Sequence, residues 1–218
     1  MKQKLIILMG LPGSGKTTLG NLLESRHNNF VHISPLKVQR KMGLKRYNRK
    51  RAKEMESMFF KEASNTLRRN QNLILENVFS RREYKNNVLK FSQDNYLDTL
   101  IIETLTPENI AKKRIRKRPK KDHLICDSND PKHYDKSLAR WESLEINLRD
   151  YPRLSYFKFF NDDNPDKSYI ETVNIPTNAY KFVKQIQKAI IKNFKVQKVI
   201  SSSDISTLNQ SFGLLLEI

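Results

Sequence analysis

Only one cysteine, Cys126, occurs in 218 residues, so no internal disulfide can form. The expectation is a reducing compartment, the cytoplasm. Long apolar runs are also missing. Leu5-Ile6-Ile7-Leu8-Met9 has the length of a strand, far below the roughly 20 residues that cross a bilayer. Met1-Lys2-Gln3-Lys4 leads into no apolar segment of signal length. A membrane is therefore not expected as a partner. Acids are the other scarcity: 23 Asp and Glu stand against 41 Lys and Arg, leaving +18. Such an excess favours a polyanionic partner, nucleic acid first. A chain from a Lys/Asn-rich, AT-biased genome would spread its charge evenly.

Here the charge is concentrated. Nine basic residues and no acid fall between Lys37 and Lys53, including Arg40, Arg46, Arg49 and Lys50. From Lys112 to Lys121, eight of ten positions are basic, broken only by Ile115 and Pro119. One such block reads as a solvated face. Two blocks, each this concentrated, point toward function.

The most informative stretch is Gly10-Leu11-Pro12-Gly13-Ser14-Gly15-Lys16-Thr17. It matches the phosphate-binding loop G-x-x-x-x-G-K-[ST] at every fixed position. An apolar strand precedes it, and Thr17 to Arg26 carries Leu19, Leu22 and Leu23 at helical spacing. Gly13 and Gly15 let the backbone approach phosphate oxygens, and successive N–H groups make an anion nest at a helix N-terminus. Gly10, Pro12, Gly13, Ser14, Gly15, Lys16, Thr17 and Thr18 are the candidate nucleotide-binding residues. Lys16 would reach the β- and γ-phosphates, and the Thr17 hydroxyl would ligate Mg²⁺. The expected ligands are ATP, by default over GTP, and Mg²⁺.

Further strands are predicted at 29–33, 72–76 and 99–103, with two strand-like segments at 154–160 and 169–175 joined by an Asn161-to-Pro165 turn. Helices are predicted from about Asn48 to Asn70, Arg81 to Gln93, Thr106 to Pro119, Lys136 to Arg149 and Ala179 to Phe194. The 136–149 helix would bury Leu138, Trp141, Leu144 and Leu148, and the last would turn Tyr180, Val183, Ile186 and Ile190 inward. Thr106 reads as a cap, with Pro107 at the first helical position. The polar stretch from Lys120 to Asp135 reads as a mobile loop. His123, Cys126, Asp130 and His133 lie within it, but without paired cysteines they read as solvated residues, not a zinc site. Strands alternating with helices predict an α/β fold, a parallel sheet covered on both faces with the ligand at the strands' carboxyl ends. One domain is expected over 1–194, with a basic lid at about 112–136. The tail, 195–218, has no assigned role.

The order of the loop, the strand end Glu76-Asn77 followed by Ser80-Arg81-Arg82, and Thr106-Pro107-Glu108 entering an arginine-rich helix resembles the P-loop kinases of the polynucleotide-kinase type. The resemblance covers about residues 4–150. It implies a P-loop kinase fold with a mobile basic lid, and transfer of the γ-phosphate of ATP to a hydroxyl, the 5′-hydroxyl of RNA or DNA. Glu76 would hold the Mg²⁺ shell or act as base, and Arg114 or Arg118, four residues apart on one helix face, would close over the transferred phosphate. Arg40, Arg46, Arg49, Asn77 and Arg81 are the candidate acceptor contacts.

One departure matters. Such kinases carry an aspartate just after the second strand as base for the attacking hydroxyl, yet Ser34-Pro35-Leu36-Lys37-Val38-Gln39-Arg40 holds no acid. Loss of a base would cost about 10²–10⁴-fold, leaving positioning and charge neutralisation to do most of the work. A small-molecule or nucleotide kinase is the rival within enzymes. A nucleic-acid-binding nucleotide switch, or a pseudokinase, is the rival outside them.

Overall fold

The structure, a computed structural model, describes residues 2–44, 49–118, 129–144 and 150–201. Seven strands form one sheet: β1 (Lys4–Met9), β2 (Phe30–Ile33), β3 (Asn72–Glu76), β4 (Asp98–Leu105), β5 (Leu154–Phe160), β6 (Tyr169–Asn174) and β7 (Lys198–Ser201), in the order β2-β3-β1-β4-β5-β6-β7. The first five in that order run parallel. β1 is central because it is apolar on both faces. Leu5 and Ile7 belong to one buried cluster, Ile6 and Leu8 to another, and all four are fully buried. Strands buried on two faces need helices on both.

The first face is covered by α3 (Ala52–Arg68) and α4 (Arg82–Asp94). α3 contributes Phe59, Ala63 and Leu67, four residues apart, and α4 contributes Val88 and Leu89. The second face packs α1 (Lys16–Arg26) through Leu19 and Leu23, and α7 (Tyr180–Phe194) through Val183, Ile186 and Ile190. A short α2 (Pro35–Lys41) follows β2, capped by Ser34, whose hydroxyl accepts from Lys37 N at 3.3 Å. α5 (Glu108–Arg116) and α6 (Lys132–Leu138) stand over the carboxyl ends of the parallel strands.

Several expectations need correction. The sheet is not wholly parallel: β6 runs antiparallel to β5, and β7 follows β6's direction. The tight turn at Asn164, whose side chain accepts from Asp166 N, leaves too little chain for a parallel crossover. Part of the tail is therefore sheet; residues 202–218 lie outside the described residues. The predicted 136–149 helix forms instead at Lys132–Leu138. It starts where Asp130 Oδ1 accepts from Lys132 N at 2.9 Å. It ends because the following segment docks on α4: Glu142 N donates to Ser80 O at 2.8 Å, and the Glu142 carboxylate accepts from Arg82 N. Lys85 Nζ sits 4.4 Å from the Trp141 ring centroid, and Leu138 is left exposed. Tyr180 also faces outward, its ring beside Lys184 on the first turn of α7.

Thr106 does not cap α5. Its hydroxyl donates to Asn161 O at 2.8 Å and leans on Ser14 O at 3.3 Å, while Pro107 occupies the capping position. Asn48 lies outside the described residues, and α3 begins at Ala52 after a 3-10 turn over Arg49–Arg51.

Candidate active site

The phosphate loop leaves β1 at Met9 and re-enters helix at Lys16. Gly15 caps α1 at φ 96°, in the left-handed region that disfavours a side chain. A Cβ there would fall 2.4 Å from Asn161 Nδ2, so both dihedral and space require glycine. The close neighbour is part of a clamp. Asn161 Nδ2 donates to Ser14 O at 2.9 Å, the Ser14 and Thr104 hydroxyls meet at 2.6 Å, and Thr104 Oγ1 donates to Met9 O at 3.0 Å. The ends of β1, β4 and β5 thus hold the loop from below.

Lys16 is buried, and its Nζ donates to Gly10 O at 2.8 Å and Leu11 O at 2.9 Å. The ammonium is held over the nest. Thr17 Oγ1 donates to Glu76 Oε1 at 2.6 Å. The other carboxylate oxygen, Oε2, lies 2.8 Å from His32 Nε2, and His32 Nδ1 lies 3.1 Å from Asn21 Oδ1. The ring fits against α1 because position 20 is glycine; a Cβ there would meet it at 2.5 Å. Burial pushes the Glu76 carboxyl up. The His32 hydrogen bond, the Lys16 charge and the Thr17 hydroxyl outweigh that and hold it below the usual glutamate range. Glu76 is therefore an anion with both oxygens engaged. Thr17 and Glu76, the two residues assigned to Mg²⁺ from the sequence, are in contact. A hydroxyl and a carboxylate are the hard oxygen donors that such an ion takes alongside phosphate oxygens and water. Among the described residues, no cluster of three or more His, Cys, Asp or Glu forms a further metal site.

Lys16, Thr17 and Glu76 open into a cavity of about 460 Å³ together with Ser34, Leu36, Asn77, Arg114 and Arg118. The predicted helix to Pro119 stops at Arg116, so Arg114 lies on α5 and Arg118 in the turn just beyond it, not on a shared helix face. Arg114 pairs with Asp163 Oδ1 at 2.9 Å and places Nη2 3.4 Å from Asn161 Oδ1, beside the loop. Arg118 lines the phosphate cavity directly, whereas Arg116 lines a separate recess with Glu108 and Lys112. A smaller recess of about 370 Å³ continues past Thr18 between Arg114, Asn161 and Lys195.

A second large cavity, about 490 Å³, adjoins the first. Its walls are apolar and aromatic: Met55, Phe59, Phe60, Phe79 and Tyr84. Phe79 takes φ 49°, a costly conformation for a bulky residue. Lys136 and Arg140 bring positive charge to it from α6 and the turn that follows. Pro35, Asn77, Val78 and His133 line both cavities and mark where they meet.

Of the candidate acceptor contacts, Asn77 is at this junction, whereas Arg40 and Arg81 are exposed on α2 and at the start of α4. Arg46 and the Arg49 side chain lie outside the described residues, as do His123 and Cys126. Sequence reasoning missed His32, Thr104, Asn161 and Asp163 as site residues. His32 read as part of a strand, and Asn161 and Asp163 as part of a turn. One signal was available: a polar His32 within an otherwise apolar strand, beside a helix whose glycine leaves room for a ring. Among the described residues, no helix is long and apolar enough to cross a membrane.

The structure is similar to that of a protein from Chloroflexus aurantiacus J-10-fl proposed to be a kinase. The TM-score is 0.59 at 20% identity, over 85% of this chain and 98% of that one. At this identity the likeness speaks to fold alone. More remote are a Pnkp1/Rnl/Hen1 complex (TM-score 0.47, 21% identity, 52% and 39% covered) and a gluconokinase from Sinorhizobium meliloti 1021 (0.46, 12%, 88% and 94%). No curated protein matches the chain. A family model matches residues 5–141, a span that runs from β1 past α6 and takes in the loop, Glu76, Arg114 and Arg118. On that match the chain belongs to the AAA domain family, built on an α/β P-loop kinase-like fold.

Proposed function

We propose that the chain transfers the γ-phosphoryl group of ATP to a hydroxyl, that at the 5′ end of a polynucleotide. The observation that carries the reading is the meeting of two cavities. One holds the phosphate loop, Glu76 and two arginines; the other is walled by apolar and aromatic side chains, with Lys136 and Arg140 and the acids Glu56 and Asp130 at its edge. A triphosphate in the first would present its terminal phosphorus to a hydroxyl entering from the second. Gly13 and Gly15 backbone donors and Lys16 bind and orient the β- and γ-phosphates. Arg114 and Arg118 counter charge on the transferred group as the transition state forms. Magnesium, where bound, would be held by Thr17 and Glu76 and would supply further neutralisation of phosphate charge.

The aromatic walls favour an acceptor with a flat base. Stacking on such side chains is worth roughly 1–3 kcal/mol per base and tolerates any sequence. Lys136 and Arg140 suit the phosphates that follow a terminal nucleoside, and the +18 net charge suits a longer strand. A nucleoside or nucleotide kinase is the second reading, favoured by a volume of about 490 Å³. The deciding experiment offers γ-labelled ATP with 5′-hydroxyl oligonucleotides, nucleosides, sugars and mononucleotides. Label on oligonucleotides supports the polynucleotide reading, and label on small acceptors alone replaces it. Nucleotide-dependent binding with no transfer would make the chain a switch or pseudokinase.

The first basic block gives a separate test. Neutralising Arg46, Arg49 and Lys50 together should weaken oligonucleotide binding and flatten its salt dependence. Each phosphate deprived of its cationic partner lowers the slope of log K against log salt by about 0.7 for a single strand. An unchanged slope would make the block a solvated face.

A further inference from the structure

The fold leaves the expected base position empty of acid. After β2, Ser34, Pro35 and Leu36 line the phosphate cavity, and the carboxylate that does face it, Glu76, already accepts from Thr17 while lying 2.8 Å from His32. The side chains common to both cavities are Pro35, Asn77, Val78 and His133, and of these only His133 can titrate. Its backbone is anchored: His133 N donates to Asp130 O at 3.0 Å, and Ser137 Oγ donates to His133 O at 2.9 Å. Among the described residues no hydrogen bond reaches its ring, so the imidazole is available to a ligand at the junction.

We propose that His133 is the general base of the transfer. This rests on the function proposed above. The neutral imidazole takes the proton of the acceptor hydroxyl as that oxygen forms its bond to the γ-phosphorus. The bond from that phosphorus to the bridging oxygen breaks, and ADP leaves with the electron pair. The proton remains on His133 as imidazolium and passes to water after product release. Helix α6 would thereby supply what the strand-2 segment lacks, and the base would stand on that helix rather than on the sheet.

The electrostatic surroundings agree with a base that is neutral near neutral pH. Burial pushes the His133 imidazole down; the charges of Arg118, Lys136 and Lys16 push it further, with Asp130 opposing. Arg114 and Glu76 face the first cavity, and Glu56 and Arg140 the second. Glu56 is itself held by Asn87 Nδ2 at 3.0 Å.

The test is single-turnover transfer from γ-labelled ATP between about pH 5 and 9, by the full chain and by His133→Asn, with His133→Gln as a second variant. A 5′-hydroxyl oligonucleotide is the first acceptor, and nucleosides and sugars follow. The wild-type rate should climb with pH to a plateau whose midpoint lies below that of an ordinary imidazole. Both variants should lose that limb and fall by about 10²-fold or more at the plateau, while ATP affinity from direct titration holds. Transfer by either folded variant at the wild-type rate and pH profile overturns the assignment. So does a slower rate with the limb intact, which marks a structural role. No transfer by the wild type to any acceptor overturns the proposed function itself, whereas normal transfer without His133 overturns only this inference.

Discussion

Lys16→Ala should reduce transfer by at least about 10²–10³-fold, the loss seen when one preorganised donor to a developing charge is removed. Stability should change little. The ammonium donates to Gly10 O and Leu11 O, both at the loop that faces the phosphate cavity, so water can replace it at those carbonyls. A hydrogen bond from a charged donor is worth about 1.5–3 kcal/mol, and water at the cavity wall recovers most of it once the ammonium is gone. Lys16→Ala also fills nothing and opens no core void, since Lys16 lies at the cavity wall and not among the sheet-packing residues. Single-turnover transfer together with thermal unfolding separates the two effects. Near wild-type turnover would remove the loop from catalysis and with it the kinase reading.

The second large effect belongs to Glu76→Gln. The side chain keeps its shape: the amide oxygen can accept from His32 and the amide nitrogen can donate to the Thr17 hydroxyl. The seat described for the carboxylate therefore survives while its charge does not. Turnover should fall by about 10²-fold or more if the charge holds the metal shell, with a smaller change in ATP affinity. Unlike an exposed strand-end carboxylate, Glu76 is buried against partners, so a stability loss of about 1–3 kcal/mol should accompany it. The pH dependence identifies the source. Because the folded carboxyl is held below its ordinary value, its contribution is present above the ordinary glutamate range and is lost as pH falls through the folded value. The gap in stability between wild type and Glu76→Gln should accordingly narrow in acid. Equal single-turnover rates at saturating Mg²⁺ and ATP would reduce Glu76 to a structural anion.

The features legible in the sequence share a short range. The loop, its strand and its helix are a contiguous pattern, and β3 falls at Asn72–Glu76 as its apolar run predicts. The acid at that strand end is local too. What escaped depends on chain segments far apart. Asn161 acts on Ser14 across 147 residues, and His32 on Glu76 across 44. In isolation Asn161 has only the character of a turn former. The α6 boundaries escaped for a similar reason: Leu138, Trp141 and Leu144 have helical spacing, but Glu142 is worth more to the start of α4 than to a helix of its own. Direction in the sheet was set by the length of one turn, which apolar periodicity does not encode.

The clamp beneath the loop has a consequence for the timing of order. A glycine-rich segment free in solution would have to lose its backbone freedom when phosphate arrives, at about 1–2 kcal/mol per residue. Here Ser14 is tied to Thr104 and Asn161, and Thr106 ties that same Asn161 backbone in turn. That loss is incurred once, when β1, β4 and β5 assemble, and not at each encounter with nucleotide. Association should therefore proceed on a surface already shaped for an anion, with affinity governed by charge and contact and not by loop ordering.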